Sequence, residues 1–484
     1  MSFQDYPEEL NVESKPLKRV HTRIALVYPS TYSIGMSSLG LKLLYSYFNS
    51  RDSVACERFF FNPASSGYQA IRSVETGSPL KQFDVIAFTM QFELDYVNAI
   101  KILMQSDIPP RKVERQNVDP VIIAGGLSLT ANPRVLSPLF DVILRGEFEV
   151  VGNRFMYLIE ESRGDREVLR EQLKQEPHWY SGGDELPDMA RVQDLDTAFF
   201  PIHQVKPVVS RGKRANKAVV FDGFMLEIVR GCNRKCSYCL IGAHQRPARR
   251  RKIETLKTLI EQGLPNNQTN KTMFVGSSTA DYPRLMDLLT WMNEKNYSFS
   301  LPSLRLDASS DILGEIVKNR QQTITVAPES GSDEVRNRIG KKFTNEEIID
   351  FVTRAKDQGI RNLKLYFITG LEDPTSENEA ILTLGSQIAR IYSRSHLEIT
   401  VSAFVPKLST EFAHLRPDYD AIKTSYRILK PLKKVASVST YPAKWAWIQS
   451  LLSTGTDKFF DVVESVAETQ ATFTDWKKTL SSQR

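Results

Sequence analysis

Apolar residues along this chain come in short runs, and amphipathic stretches separate them. The run 24-IALVYP-29 ends in proline and reads as a buried strand. The segment 38-SLGLKLLYSYFN-49 has helical periodicity instead. Two further apolar runs, 84-DVIAFTM-90 and 120-PVIIAGG-126, read as buried strands, and 92-FELDYVNAIKILMQS-106 between them as a helix. Apolar strands alternating with helices predict an α/β domain, with a parallel sheet covered on both faces. This first series closes near 141-DVILRGEFE-149. Residues 160–220 lose the pattern: charged at first, then 181-SGGDELPD-188, then the basic 211-RGKRANK-217. A second series starts near 223. Its strand candidates are 223-GFMLEIV-229, 272-TMFVG-276, 299-FSLPSLR-305, 322-QTITVAP-328, 362-NLKLYFITG-370 and 397-LEITVSAFVP-406, with helical segments such as 346-EEIIDFVTRAKDQG-359 between them. Six βα units predict an open or partial TIM-like (β/α)6 barrel, with its chemistry at the C-terminal ends of the strands.

The expected division is a mobile lead-in at 1–21, a doubly wound, Rossmann-like parallel-sheet domain at 22–160 and a linker at 161–220. A barrel at 221–430 and a small, mainly helical C-terminal segment at 431–484 complete it. A length of 484 residues allows two or three domains, each with its own core. Charged residues at 25% are ordinary for a soluble globular chain, and a net charge of +6 permits an anionic partner without demanding one. No apolar run reaches the roughly 18 residues of a transmembrane segment. The first residues, MSFQDYPEELNVESKPLKRV, suit neither a signal peptide nor an Arg-rich transit peptide, so a cytoplasmic, reducing location is expected. In such a compartment a thiol cluster reads as a metal site rather than as disulfides.

Three of the four cysteines fall in 228-IVRGCNRKCSYCLIG-242, as Cys232, Cys236 and Cys239 with C-x3-C-x2-C spacing. Zinc sites draw four protein ligands, and His244 is available as a fourth. Three thiolates on a tight loop also hold three irons of a [4Fe–4S] cube and leave the fourth iron open to a small molecule. The fourth cysteine, Cys56 in 54-VACERFFFNP-63, lies in the first domain and reads as a small packed hydrophobe.

The cysteine spacing, with the aromatic Tyr238 before the third thiol, resembles that of the radical S-adenosylmethionine (SAM) enzymes. The resemblance implies a [4Fe–4S] cluster held by Cys232, Cys236 and Cys239, and a SAM site along the barrel. The segment 276-GSSTADYP-283 stands where the family has a Gly-rich turn for the methionyl amino group, though it reads Gly276-Ser277-Ser278 rather than Gly-Gly-Glu. Arg305 in 302-PSLRLD-307 is placed for the SAM carboxylate. The stretch 327-APESGSDEVRNRIGK-341 matches the fourth-strand motif, with Glu329 for ribose hydroxyls and Ser330 lining the pocket. The stretch 364-KLYFITGLEDPT-375 resembles the fifth-strand motif that packs on adenine, and puts Phe367 there.

Ahead of the barrel, 28-YPSTYSIGMSSLGLKLLYSYF-48, 87-AFTMQFELD-95 and 124-AGGLSLTANPRVLSPLFDVILRGEFE-149 resemble the cobalamin-binding-type domain of many radical SAM proteins. Pro29, Ser30, Thr31, Thr89, Met90, Gly125, Gly126 and Glu147 are the expected cobalamin contacts. The Asp-x-His-x-x-Gly motif of the methionine synthase type is absent: the six histidines, at 21, 178, 203, 244, 396 and 414, all lie in other contexts. A domain that keeps only the fold is the alternative.

The family resemblance, over about residues 22 to 465, implies an enzyme. It would reductively cleave SAM to a 5′-deoxyadenosyl radical and functionalise an unactivated C–H bond, with cobalamin transferring a methyl group. The same cofactors serve carbon–carbon bond formation in a lipid, as in archaeal tetraether ring synthases. The expected partners are a small-molecule or lipid substrate and an external ferredoxin- or flavodoxin-like electron donor. A tRNA-modifying protein and an iron–sulfur redox sensor are the other classes. The run 246-RPARRRK-252 could grip a phosphate or be a solvated helix start. Its basic residues lack the interleaved aromatics of an RNA-binding surface, which argues against nucleic acid.

Overall fold

The computed structural model describes residues 6–64, 67–208, 222–306 and 308–482, so the basic run 211-RGKRANK-217 lies outside the described residues. The chain forms two compact units. One comprises residues 1–193, 197–222 and 455–484, the other 194–196 and 223–454.

The first unit is built on a six-stranded sheet: β1 (Thr22–Tyr28), β2 (Val54–Phe60), β3 (Val85–Thr89), β4 (Val121–Gly125), β5 (Val142–Leu144) and β6 (Trp179–Tyr180). Their order is β2-β1-β3-β4-β5-β6, parallel except for β6. Helix Leu39–Asn49 and helix Phe148–Ser162 share a core with β1 through Tyr45, Phe48, Phe155, Ile24 and Leu26. In a doubly wound sheet of this order, the direction in which strands are added reverses between β1 and β3, and ligands bind at the carboxyl ends of these strands.

Strand β2 has no counterpart in the sequence-based expectation, because Glu57 and Arg58 interrupt its apolar run. All seven of its residues are nonetheless buried. The Arg58 side chain is fully inaccessible and meets Glu9 at 2.6 Å and Glu75 at 2.7 Å. This also changes the reading of the lead-in. Glu9–Leu10 pairs antiparallel with Lys206–Pro207, and Lys15 Nζ donates to the Asn49 and Val54 carbonyls, each at 2.6 Å. Much of the expected linker is likewise part of this unit. Helix Arg166–Gln175 buries Leu169 and Leu173, and Trp179 joins the same core. The end of the C-terminal segment belongs here too. Helix Phe460–Ala467 packs on helix Tyr96–Met104, Arg111 pairs with Asp461 at 2.7 Å and with Glu464, and Asn132 donates to the Gly455 carbonyl at 2.8 Å.

The second unit is the barrel. Strands β7 (Phe224–Arg230), β8 (Lys271–Gly276) and β9 (Ser298–Ser300) run parallel, with Arg249–Arg250 antiparallel on the outer side of β7. Strands β10 (Thr323–Glu329), β11 (Asn362–Thr369), β12 (Leu397–Ala403) and β13 (Ser437–Thr440) form a second parallel set. The Leu304 amide donates to the Thr325 carbonyl at 2.9 Å and bridges the two sets. The six expected strands are present, and β13 is a seventh. Strand β9 stops at Ser300, short of the expected 299–305, two residues before Pro302, which has no amide to give a ladder. Helix starts are well marked: Thr344 and Glu347 form a capping box, and Asp373 caps Pro374–Ile388. Among the described residues, no helix is long and apolar enough to cross a membrane.

Arg58→Ala would leave the Glu9 and Glu75 carboxylates facing each other in a dry core. We expect it to cost the first unit about 3–5 kcal/mol. Urea titration with hydrogen exchange read on β1 and β2 measures this; a loss under about 1 kcal/mol would mean that water replaces the guanidinium.

Candidate functional site

Strand β7 delivers the chain into the cysteine loop, which has no regular structure until helix Leu240–His244. The loop is held by the segment that follows helix Asp333–Arg338. The Ser237 amide donates to the Ile339 carbonyl at 3.2 Å, and the Ser237 hydroxyl donates to Glu411 at 2.6 Å. Gly340 has φ +79° and lies against the loop. A Cβ there would meet the Lys235 carbonyl at 2.6 Å and the Cys236 Cα at 3.4 Å.

Cys232, Cys236 and Cys239 are free and partly exposed. Burial pushes the Cys236 thiol up, Lys341 opposes this, and the other two thiols are near enough to add to it. Among the described residues, no three Cys, His, Asp or Glu side chains surround a single point, as a mononuclear site requires. His244 is buried, with its Nε2 3.4 Å from the Leu408 carbonyl. Three thiols on one loop fit a cluster in which each sulfur meets its own iron. The buried Cys56 is remote in kind: its amide and carbonyl bond the Asn49 side chain within β2 packing.

Beside the loop lies a short polar chain. The Tyr238 hydroxyl donates to Glu329 at 2.8 Å, and Lys341 Nζ reaches the same carboxylate oxygen at 2.7 Å. Burial and the Glu329 charge push the Tyr238 hydroxyl far above its ordinary range, so it stays a donor. Glu329 ends β10 after an irregularity in the ladder and has φ +68°, a strained conformation for a residue with a Cβ. Tyr238 packs on Val335, Ile339, Leu371, Phe404 and Phe412, which shield one side of the site from water. Lys341 and the Ser237–Ile339 contact were not singled out from the sequence; Lys341 carries no signal beyond its place at the end of the fourth-strand motif.

Other expected SAM residues are placed as follows. Gly276 ends β8, and Ser277 and Ser278 are at least partly open beyond it. Arg305 lies 3.6 Å from Asp281 and stacks over Phe343. Arg234, from the cysteine loop, pairs with the same Asp281 at 2.7 Å. Against the effect of burial, Arg234, Arg305 and Arg250 hold the Asp281 carboxyl below its usual range. Three cations therefore converge on one carboxylate at the strand ends. Ser330 is fully buried, and its hydroxyl accepts from the Ser332 amide. Phe367 is a correction. It is 1% exposed, and alternation along β11 puts it on the same face as Leu363 and Leu365. Its neighbours Tyr366 and Ile368 take the opposite, more open face. The period of two assigns the faces, but the sequence does not say which one looks inward.

In the first unit, the carboxyl ends of β1, β3, β4 and β5 gather Pro29, Ser30, Thr31, Thr89, Met90, Gly125, Gly126 and Glu147. Several are committed internally. Met90 is fully buried, Gly126 (φ +114°) lets the chain pass against the Met90 carbonyl, and Glu147 accepts from the Val192 amide at 2.8 Å. Ile34 and Phe92, on the segments leaving β1 and β3, are exposed large apolar residues. Asp95 was missed by sequence reasoning. Burial pushes its carboxyl up to about 7 against a hydrogen bond from Asn98, which also donates to the Pro29 carbonyl at 2.9 Å.

Residues 40–181 match the family described as radical SAM proteins, N-terminal, and residues 226–384 match the radical SAM superfamily. An uncharacterized protein of Methanocaldococcus jannaschii is 29% identical over 414 residues, 85% of this chain and 83% of that one. A tRNA-2-methylthio-N(6)-dimethylallyladenosine synthase of Lachnoclostridium phytofermentans is 27% identical over 173 residues, 32% of this chain and 36% of that one. Among solved structures, the radical SAM methyltransferase TsrM from Kitasatospora setae, with cobalamin and a [4Fe-4S] cluster bound, has a TM-score of 0.58 at 10% identity, covering 96% of this chain and 98% of that one. The cobalamin-dependent radical enzyme OxsB, with aqua-cobalamin and SAM bound, has a TM-score of 0.54 at 15% identity, covering 86% and 58%. These two likenesses are of fold. With both family matches, the thiol loop and this architecture in place, the chain belongs to the radical SAM superfamily and has the fold of its cobalamin-binding branch.

Proposed function

We propose that this radical SAM enzyme is a cobalamin-using methyltransferase acting on an unactivated carbon. The observation that carries the reading is the joint between the cysteine loop and the end of β10, where Tyr238, Glu329 and Lys341 share one polar chain. When bound, the cluster and SAM supply the one-electron chemistry that opens a C–H bond, and a corrin supplies a methyl carrier. Cys232, Cys236 and Cys239 would hold the cluster. Glu329 would accept hydrogen bonds from the SAM ribose, held in place by Lys341 and Tyr238. Arg305, beside Asp281 and Phe343 at the strand ends, would meet the SAM carboxylate. Backbone at Gly276–Ser278 would take the amino group. Tyr366 and Ile368 replace Phe367 as the aromatic and aliphatic residues turned to the open face of β11.

Support for cobalamin is the switch in strand order at β1 and β3, the place where such folds take ligands, with Ile34 and Phe92 exposed on the segments leaving these strands. TsrM and OxsB, which share the fold, bind it. A second reading, tRNA modification, draws on the tRNA-2-methylthio-N(6)-dimethylallyladenosine synthases, of whose length the chain spans under half.

Four outcomes test these roles. Anaerobic reconstitution with SAM and a reductant should give 5′-deoxyadenosine and, for methyl transfer, S-adenosylhomocysteine. Cys232→Ala, Cys236→Ala and Cys239→Ala should each lose the cluster absorption and Cys56→Ala keep it; iron loss in the last would overturn the ligand set. Glu329→Gln should weaken SAM binding about 10- to 100-fold by calorimetry with iron content retained, the effect of losing a charge-assisted hydrogen bond. Gly340→Ala should fold yet incorporate little cluster. Gly359→Ala is the control, because Gly359 also has positive φ but a Cβ there would make only an ordinary contact with Val317 at 3.7 Å. Equal behaviour of the two would mean that backbone strain alone is responsible.

A further inference from the structure

Strands β10 to β13 carry two different faces. Gly385, in helix Pro374–Ile388, sits so that a Cβ would lie 3.3 Å from Ile399 Cδ1, so Ile399 faces the helices. Leu365 and Val438 are its ladder partners, and Leu363, Phe367 and Val401 share its face by alternation. All but Val438 are buried. The opposite face is different in kind. One row, above the Thr323–Asn362 pair, crosses the sheet as Thr325, Lys364, Glu398 and Ser437. The next row is Tyr366, Thr400 and Ser439, and the row above that is Ile368 and Ser402. Lys364 Nζ meets Glu398 at 2.9 Å, with the two side chains 41% and 42% exposed, and the Thr400 and Ser439 hydroxyls lie 2.9 Å apart. Tyr366 is 42% exposed.

A parallel sheet is normally apolar on both faces, because helices or barrel packing cover both. Here the inward face carries an ion pair, the hydroxyl residues Thr325, Thr400, Ser402, Ser437 and Ser439, and a phenol. Such a wall is stable against water or a polar ligand. An alkyl chain laid on it would strip water from the pair without replacing the hydrogen bonds. The top of this wall is the SAM end: Ile368 packs on the cluster that includes Tyr238. The Lys364–Glu398 row lies four residues lower on β11, roughly 13 Å at ~3.3 Å per residue.

We infer that this face is the substrate wall of the barrel, and that the substrate is a compact polar molecule with a charged group at one end, not a lipid. The inference rests on the radical SAM reading given above. The Lys364–Glu398 pair holds the charged end, by exchanging part of its own pairing for the ligand's. The hydroxyl rows bind its middle, and a carbon at the other end, on the order of 10 Å away, lies level with the strand ends.

The test uses the full reconstituted chain with SAM and dithionite, and two probes: the aqueous-methanol phase and the chloroform phase of one metabolite extract from the source cells. The aqueous phase should raise 5′-deoxyadenosine formation over the rate without extract. Lys364→Met and Glu398→Gln should each raise the amount of extract needed for half-maximal response about tenfold, with iron content and SAM affinity retained, and Lys364→Arg should recover most of it. Stimulation by the chloroform phase, or by neither phase, overturns the inference. So does a full response in both variants. Failure of the underlying reading is distinct, because the wild-type chain would then bind no SAM even without extract.

Discussion

A loop with no secondary structure of its own must hold three thiols in fixed relation, and it does so by borrowing rigidity from the barrel. The hydrogen bond from the Ser237 amide to Ile339 and the contact of Gly340 with Cys236 tie it to the turn after β10. That turn follows a helix whose Arg336 is fully buried and bonds the Ser330 and Phe343 carbonyls. Glu329, at the other end of the same segment, reaches Tyr238 back in the loop. Cluster loop and strand end are therefore one mechanical element closed from both sides, so the thiols and the ribose-binding carboxylate keep a common frame.

Charge follows the same logic. Glu329 is nearly buried, and Lys341 and Tyr238 satisfy it from two directions. On the other flank, Arg234 and Arg305 both meet Asp281, which links the cysteine loop to the segment after β9.

Much of this was legible in the sequence, because the alternation of apolar runs and amphipathic helices is strong. The barrel strands and the strand ends at Pro29, Thr89 and Gly125 follow from it. What stayed hidden has physical reasons. β2 was masked by Glu57 and Arg58, charges that read as solvent-facing until Glu9 and Glu75 are found around the latter. Period-two alternation separates Phe367 from Tyr366 but cannot orient the sheet. Gly340 acts through a contact about a hundred residues away in sequence, and so does the Tyr238–Glu329 hydrogen bond that Lys341 joins, which spacing rules do not see. The Gly/Asp/Pro-rich 181–188 reads as linker, yet Ala190 just beyond it is buried and its main chain bonds Arg145 and Glu147.

The return of residues 455–484 to the first unit makes the barrel an insertion within that unit rather than a domain after it. Phe460 and Val463, both fully buried, come off the ribosome after the whole barrel. At roughly 5–20 residues per second, the first unit waits on the order of ten seconds or more with the groove beside Tyr96–Met104 unfilled. Its apolar lining is then open to any other chain in the cell. The order of synthesis thus leaves the early half of the protein incomplete for as long as the barrel takes to be made.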